Sequence, residues 1–155
     1  MKENLTISYE EYIVKFRGLI KSLGLNNSIQ REYVLKILFD CNNHLSAEQI
    51  LKRVRENYKF KIGIATVYRI INLLEDMKVI NGISISGNDA KVYELGLVFH
   101  HDHIVCVDCG KIVEFVNNEI EQLQKDIASK NDFILESHSM MLYGICEDCQ
   151  KIEEI

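Results

Sequence analysis

The chain contains no proline, and its apolar runs stop at four residues, as in Ile104-Val105-Cys106-Val107. The short runs exclude a membrane-spanning helix, which needs about 20 consecutive apolar residues. The missing proline and the absence of any low-complexity tract exclude a proline-rich linker. Met1-Lys2-Glu3-Asn4 lacks the basic, apolar and small-residue succession of a secretory signal, so a cytoplasmic location is expected. Thiols stay reduced there, and the five cysteines read as metal ligands before they read as disulfides. With 47% hydrophobic and 26% charged residues, the 155-residue chain can build one medium domain or two small ones.

The net charge of −5 hides an asymmetry. Residues 1–95 carry 14 Lys+Arg against 11 Asp+Glu, whereas residues 96–155 carry 4 against 12. Within 15–69 the count is 11 against 4. A basic front half suits a polyanion and an acidic back half suits cations.

Periodicity divides the chain in the same place. Tyr12, Ile13, Phe16, Leu19, Ile20 and Leu23 form one apolar helical stripe, stopped by Gly24. Ser28 is placed to cap a second helix through Val34, Leu35, Leu38 and Phe39, with a break at Asn42-Asn43. Ser46 and Gln49 have the spacing of a capping box for a third helix, with Ile50, Leu51 and Val54 inward. A fourth helix is expected from about Ile64 to Lys78, burying Val67, Ile70, Ile71, Leu74 and Met77. A strand over Val79–Ser86, a turn at Ser86-Gly87-Asn88-Asp89 and a return strand over Lys91–Leu95 follow. Short helices ending in a β-hairpin are the layout of a winged helix-turn-helix.

The remaining residues, past a short link at Gly96-Leu97-Val98-Phe99, predict strands at 100–106 and 111–116. A helix is expected over Asn118–Lys130, with Ile120, Leu123 and Ile127 on one face, then an extended stretch over Phe133–Cys146. A β-α-β unit this small needs a metal staple, a partner subunit, or both. Cys106-x-x-Cys109 and Cys146-x-x-Cys149 supply the staple: two thiolate turns complete the tetrahedron that zinc prefers, and a closed shell makes the site structural. Cys41 is left over and reads as a small buried hydrophobe on a helix. In His100-His101-Asp102-His103, strand alternation puts His101 and His103 on one face and His100 and Asp102 on the other. The tetrapeptide can therefore seed two sites whose imidazole and carboxylate ligands suit Fe(II), Mn(II), Ni(II) or Zn(II).

These pieces occur with Ser28-x-x-Arg31, His44-Leu-Ser-Ala-Glu48, Gly63-Ile-Ala-Thr-Val-Tyr-Arg69, Tyr93-Glu-Leu95 and Cys106-x-x-Cys109-Gly-Lys-Ile-Val-Glu-Phe115. In this order and spacing the chain resembles the ferric uptake regulator family of metal-dependent bacterial transcription factors over nearly its whole length. The resemblance implies an α+β fold. A winged-helix DNA-binding domain at 1–95 would precede a small α/β dimerisation domain at 96–155, stapled by Cys106, Cys109, Cys146 and Cys149 around Zn(II). It implies a regulatory metal site of His44, Glu94, His101, His103 and Glu114, and an additional site of His100, Asp102, Glu121 and His138. It also implies groove contacts from Tyr68 and Arg69; Thr66 and Asn72 are weaker candidates for DNA contact, and Arg31 is expected to hold a phosphate. Lys15, Arg17, Lys52, Arg53, Arg55, Lys59 and Lys61 are candidates for non-specific phosphate contact.

The expected function is a metal-dependent repressor that binds A/T-rich palindromic operators as a homodimer, with a tetramer as the alternative. Asn26 stands where the family often carries a lysine that reaches the minor groove. Peroxide sensors typically have aspartates in place of Glu94 and Glu114, and zinc sensors a cysteine in the regulatory site. Fe(II) is therefore favoured, with Mn(II) or Zn(II) as surrogates and a peroxide- or zinc-sensing regulator as the alternative function. A metal-dependent hydrolase and a scaffold that never touches DNA are rivals from other classes.

Overall fold

The structure, a computed structural model, describes residues 7–41, 43–85, 90–96 and 101–153. The turn expected at 86–89, the break at Asn42, the link at 97–99 and His100 lie outside them. Contacts divide the chain into two compact units, Met1–Ser84 with Ala90–Val98, and Ile85–Asp89 with Phe99–Ile155.

In the first unit, α1 (Tyr9–Ser22) starts in a capping box between Ser8 and Glu11. Tyr12, Ile13, Phe16 and Ile20 are buried. Leu19, at the edge of the stripe, is 39% exposed, and Leu23, already beyond the helix, is 53% exposed. The apolar face is thus narrower than the sequence suggested. In α2 (Ile29–Asp40), Ser28 has the extended backbone of an N-cap, but its side chain makes no capping bond. Instead Glu32 ties the helix start to its neighbours: Arg17 donates through Nε and Nη2 at 2.8 and 2.7 Å, and Asn27 donates through Nδ2 at 2.7 Å. Cys41 follows the helix rather than lying on it. It is half-buried, its thiol donates to the Asn43 carbonyl, and Arg53 Nη1 lies 3.4 Å from the sulfur.

A two-residue strand, β1 (Leu45–Ser46), was not anticipated. It leads into α3 (Ala47–Tyr58), where the Ser46–Gln49 capping box forms as expected. α4 (Ile64–Asp76) starts at Gly63 and buries Val67, Ile70, Ile71 and Leu74; Met77, just past its end, is only partly buried. β2 (Ile80–Ser84) and β3 (Lys91–Leu95) pair antiparallel with Gly82 opposite Tyr93, and β1 pairs on the other side of β3. Helices α1 to α4 and this sheet enclose one core that includes Ile20, Leu35, Ile50, Ile71 and Leu74, each under 2% exposed. Burying each such side chain contributes roughly 1.5–3 kcal/mol.

The second unit is a sheet of order β5-β4-β6, built from β4 (Asp102–Cys106), β5 (Ile112–Phe115) and β6 (Met141–Gly144). β5 runs antiparallel and β6 parallel to β4. α5 (Asn118–Lys130) matches its expected span, and Asn117 caps it by accepting from the Glu119 and Ile120 amides. The helix has no buried residue: Leu123 and Ile127 are both 60% exposed. Of the stretch 133–146, only Met141–Gly144 is strand, and α6 (Glu147–Glu153) was not anticipated. Among the described residues, the buried set of this unit is Asp102, His103, Val105 and Cys106. No described helix is long and apolar enough to cross a membrane.

Candidate metal centres and nucleic-acid face

Cys106 ends β4, and Cys109 follows on a turn closed by the Gly110 amide donating to the Cys106 carbonyl at 3.0 Å. Gly110 has φ +73°, a left-handed conformation that costs glycine little. Cys146 precedes α6, and the Cys149 and Gln150 amides both donate to its carbonyl at 3.0 Å. The four sulfurs lie within 4.8 Å of one another, with Cys106–Cys149 at 3.9 Å and Cys109–Cys146 at 3.7 Å. Four Zn–S bonds of about 2.3 Å in a tetrahedron would separate the sulfurs by about 3.8 Å, so the donor set fits structural zinc. Disulfide sulfurs would stand about 2.05 Å apart. The amides of Cys109 and Cys146 point at Cys106 and lower its pKa to about 6, whereas sharing with the Cys146 and Cys109 thiols raises that of Cys149. A bound cation would be the common partner for all four thiolates.

Strand alternation sorts the other candidate ligands of this unit. The His101 and His103 rings lie 4.8 Å apart, and the register sets Glu114 of β5 opposite His103. His101 Nε2 is 4.0 Å from Glu114 Oε1. The neighbouring residue points the other way: Asp102, 2% exposed, accepts the Met140 amide at 3.0 Å. His138 Nε2 lies 3.2 Å from Glu121 Oε1 and 4.0 Å from Asp102 Oδ1. Asp102, Glu121 and His138 thus form one compact group of metal-binding chemistry. His100, expected with them, lies outside the described residues.

In the first unit β1 explains a pairing that sequence reasoning reached only through resemblance. Leu45 pairs with Tyr93, which aligns the preceding His44 with Glu94. His44 Nε2 sits 2.9 Å from Glu94 Oε2, with side chains 12% and 4% exposed.

On α4 the inner face is apolar, while Tyr68, Arg69 and Asn72 are exposed and Thr66 is half-buried. Tyr68 is 41% exposed, and its hydroxyl donates to Glu48 Oε1 of α3 at 3.1 Å. Residue spacing gave no sign of that bond. Arg31 is half-buried and donates to the Asn26 carbonyl at 2.6 Å. Two expected phosphate candidates have structural duties. Arg17 is committed to Glu32, and Arg55 donates through Nε and Nη2 to the Ile62 carbonyl at 3.0 and 2.7 Å.

The pattern of the ferric uptake regulator family matches residues 22–143. The chain belongs to that family. It is 40% identical over 144 residues to the ferric uptake regulation protein of Campylobacter jejuni, covering 92% of this chain and 91% of the relative. Among solved structures, it is similar to the Helicobacter pylori ferric uptake regulator, which has three functional metal-binding sites. There the TM-score is 0.82 at 37% identity, over 96% of this chain and 97% of that one. The Vibrio cholerae ferric uptake regulator, whose structure shows a rearrangement of its DNA-binding domains, gives a TM-score of 0.69 at 38% identity, over 84% and 98%. Ferric uptake regulators are transcription regulators rather than enzymes, which removes the hydrolase reading.

Proposed function

We propose that this chain is an Fe(II)-responsive transcriptional repressor that binds A/T-rich palindromic operator DNA as a homodimer. In this reading residues 1–95 bind DNA and residues 96–155 hold the dimer together. The carrying observation is the segregation of candidate ligands: the His44–Glu94 pair in one unit, and His101, His103 and Glu114 in the other. One divalent cation taken by all five would bind only when both units present their ligands, and so would favour one arrangement of the molecule. Imidazoles and carboxylates suit Fe(II), with Mn(II) and Zn(II) as surrogates. The additional site would use Asp102, Glu121 and His138 together with His100.

Tyr68, Arg69 and Thr66 on α4 would meet base edges in the major groove, with Arg31 on a phosphate. Dimerisation is supported by the apolar surface of the second unit, where Phe133 is 73% and Ile134 93% exposed beside the open face of α5. The test is anaerobic binding of the zinc-loaded protein to a duplex selected from a random pool, with Fe(II) titrated in. Affinity should rise with Fe(II) in the wild type and stay flat in His101→Ala. Equal binding with and without Fe(II) would refute the metal response, and no DNA binding by either protein would leave the scaffold reading.

A further inference from the structure

Glu48 lies in the first turn of α3, two residues after the Ser46 cap, and it is exposed. Its carboxylate accepts the hydroxyl of Tyr68, twenty residues later on α4, at 3.1 Å. The bond joins the two helices of the helix-turn-helix on their solvent side. Glu48 is well anchored for this: the amides at the α3 N-terminus favour a negative charge. Its own amide, followed by the Ser46 hydroxyl, holds its carboxyl below the ordinary range, so it is ionised at neutral pH. Tyr68 has its hydroxyl committed to a neighbour while its ring remains in solvent.

We infer that Glu48 positions Tyr68 for DNA. The inference rests on α4 being the DNA-facing helix. With its hydroxyl held by Glu48, Tyr68 meets a base pair through its ring, the kind of apolar contact a thymine methyl accepts. A fixed rotamer loses less entropy on binding than a free one.

The test uses the full-length, zinc- and Mn(II)-loaded protein, with anisotropy measured on the selected duplex and on a scrambled duplex of equal length. Glu48→Ala should weaken the selected duplex roughly two- to tenfold, the cost of fixing one freed aromatic rotamer on binding. Glu48→Gln, which still accepts from the hydroxyl, should hold that affinity to within about twofold. In a Tyr68→Phe background Glu48→Ala should add no further loss on the selected duplex, because both changes cut the same bond. A merely structural role at the α3 N-terminus would be lost equally in the Gln and Ala variants, so equal weakening by both overturns the inference. It is also overturned if Glu48→Ala is silent while Tyr68→Ala abolishes binding. If Tyr68→Ala itself binds like the wild type, the DNA-facing role of α4 falls and this inference with it.

Discussion

At Glu32 two side chains converge on one carboxylate, Arg17 through two N–H groups and Asn27 through one. The Arg17 guanidinium first, and then the Asn27 amide, hold the Glu32 pKa below its ordinary 4.5. A depressed carboxylate pKa contributes stability at neutral pH that is lost as pH falls through the folded-state value, below about 4.5. In Arg17→Met the decline of the urea midpoint between about pH 6 and pH 3 should therefore be shallower than in the wild type. An unchanged decline would show that the pair contributes nothing to acid sensitivity. The cysteines allow a second residue-scale check. With zinc held by four of the five thiols, a thiol reagent should titrate Cys41 alone, and chelation should release the other four. Five reactive thiols in zinc-loaded protein would contradict the assignment.

At the scale of elements, the two serines expected to cap helices behave differently. Ser46 forms both bonds of its capping box, whereas Ser28 forms no side-chain capping bond. Ser46→Ala should cost about 1 kcal/mol in chemical denaturation, and Ser28→Ala close to nothing. Only Ser46 has a glutamine three residues on to complete the box, whereas the anchoring of α2 by Glu32 through Arg17, fifteen residues earlier in the chain, had no local signal. Helices with strong periodicity or a complete cap, α3, α4 and α5, were legible nearly to their ends. β1 and α6 were not: two residues carry no period, and α6 is a short turn of helix behind a cysteine. The C-x-x-C pairs and the alternation along β4 foretold the four-sulfur cluster and the opposite placement of His101/His103 and Asp102. Neither the His44–Glu94 pairing nor the Tyr68–Glu48 bond had a signal in spacing, since both depend on contacts between separate elements.

For the whole molecule the contrast between the units matters most. The first has a continuous apolar core, and the second buries few residues and leaves one face of α5 open. So small a unit needs its zinc staple and a partner surface. Ile127→Glu, placed on that exposed face, should shift the protein from dimer to monomer in sedimentation while leaving the first unit folded. A dimer of unchanged strength would place the interface elsewhere. In the proposed function metal and operator favour the same arrangement of the molecule, and thermodynamic linkage makes that coupling reciprocal. The most direct measurement is the Fe(II) affinity of the zinc-loaded protein, taken anaerobically with and without the selected duplex. The duplex should tighten Fe(II) by the same factor by which Fe(II) tightens the duplex. An Fe(II) affinity indifferent to DNA would contradict the coupling.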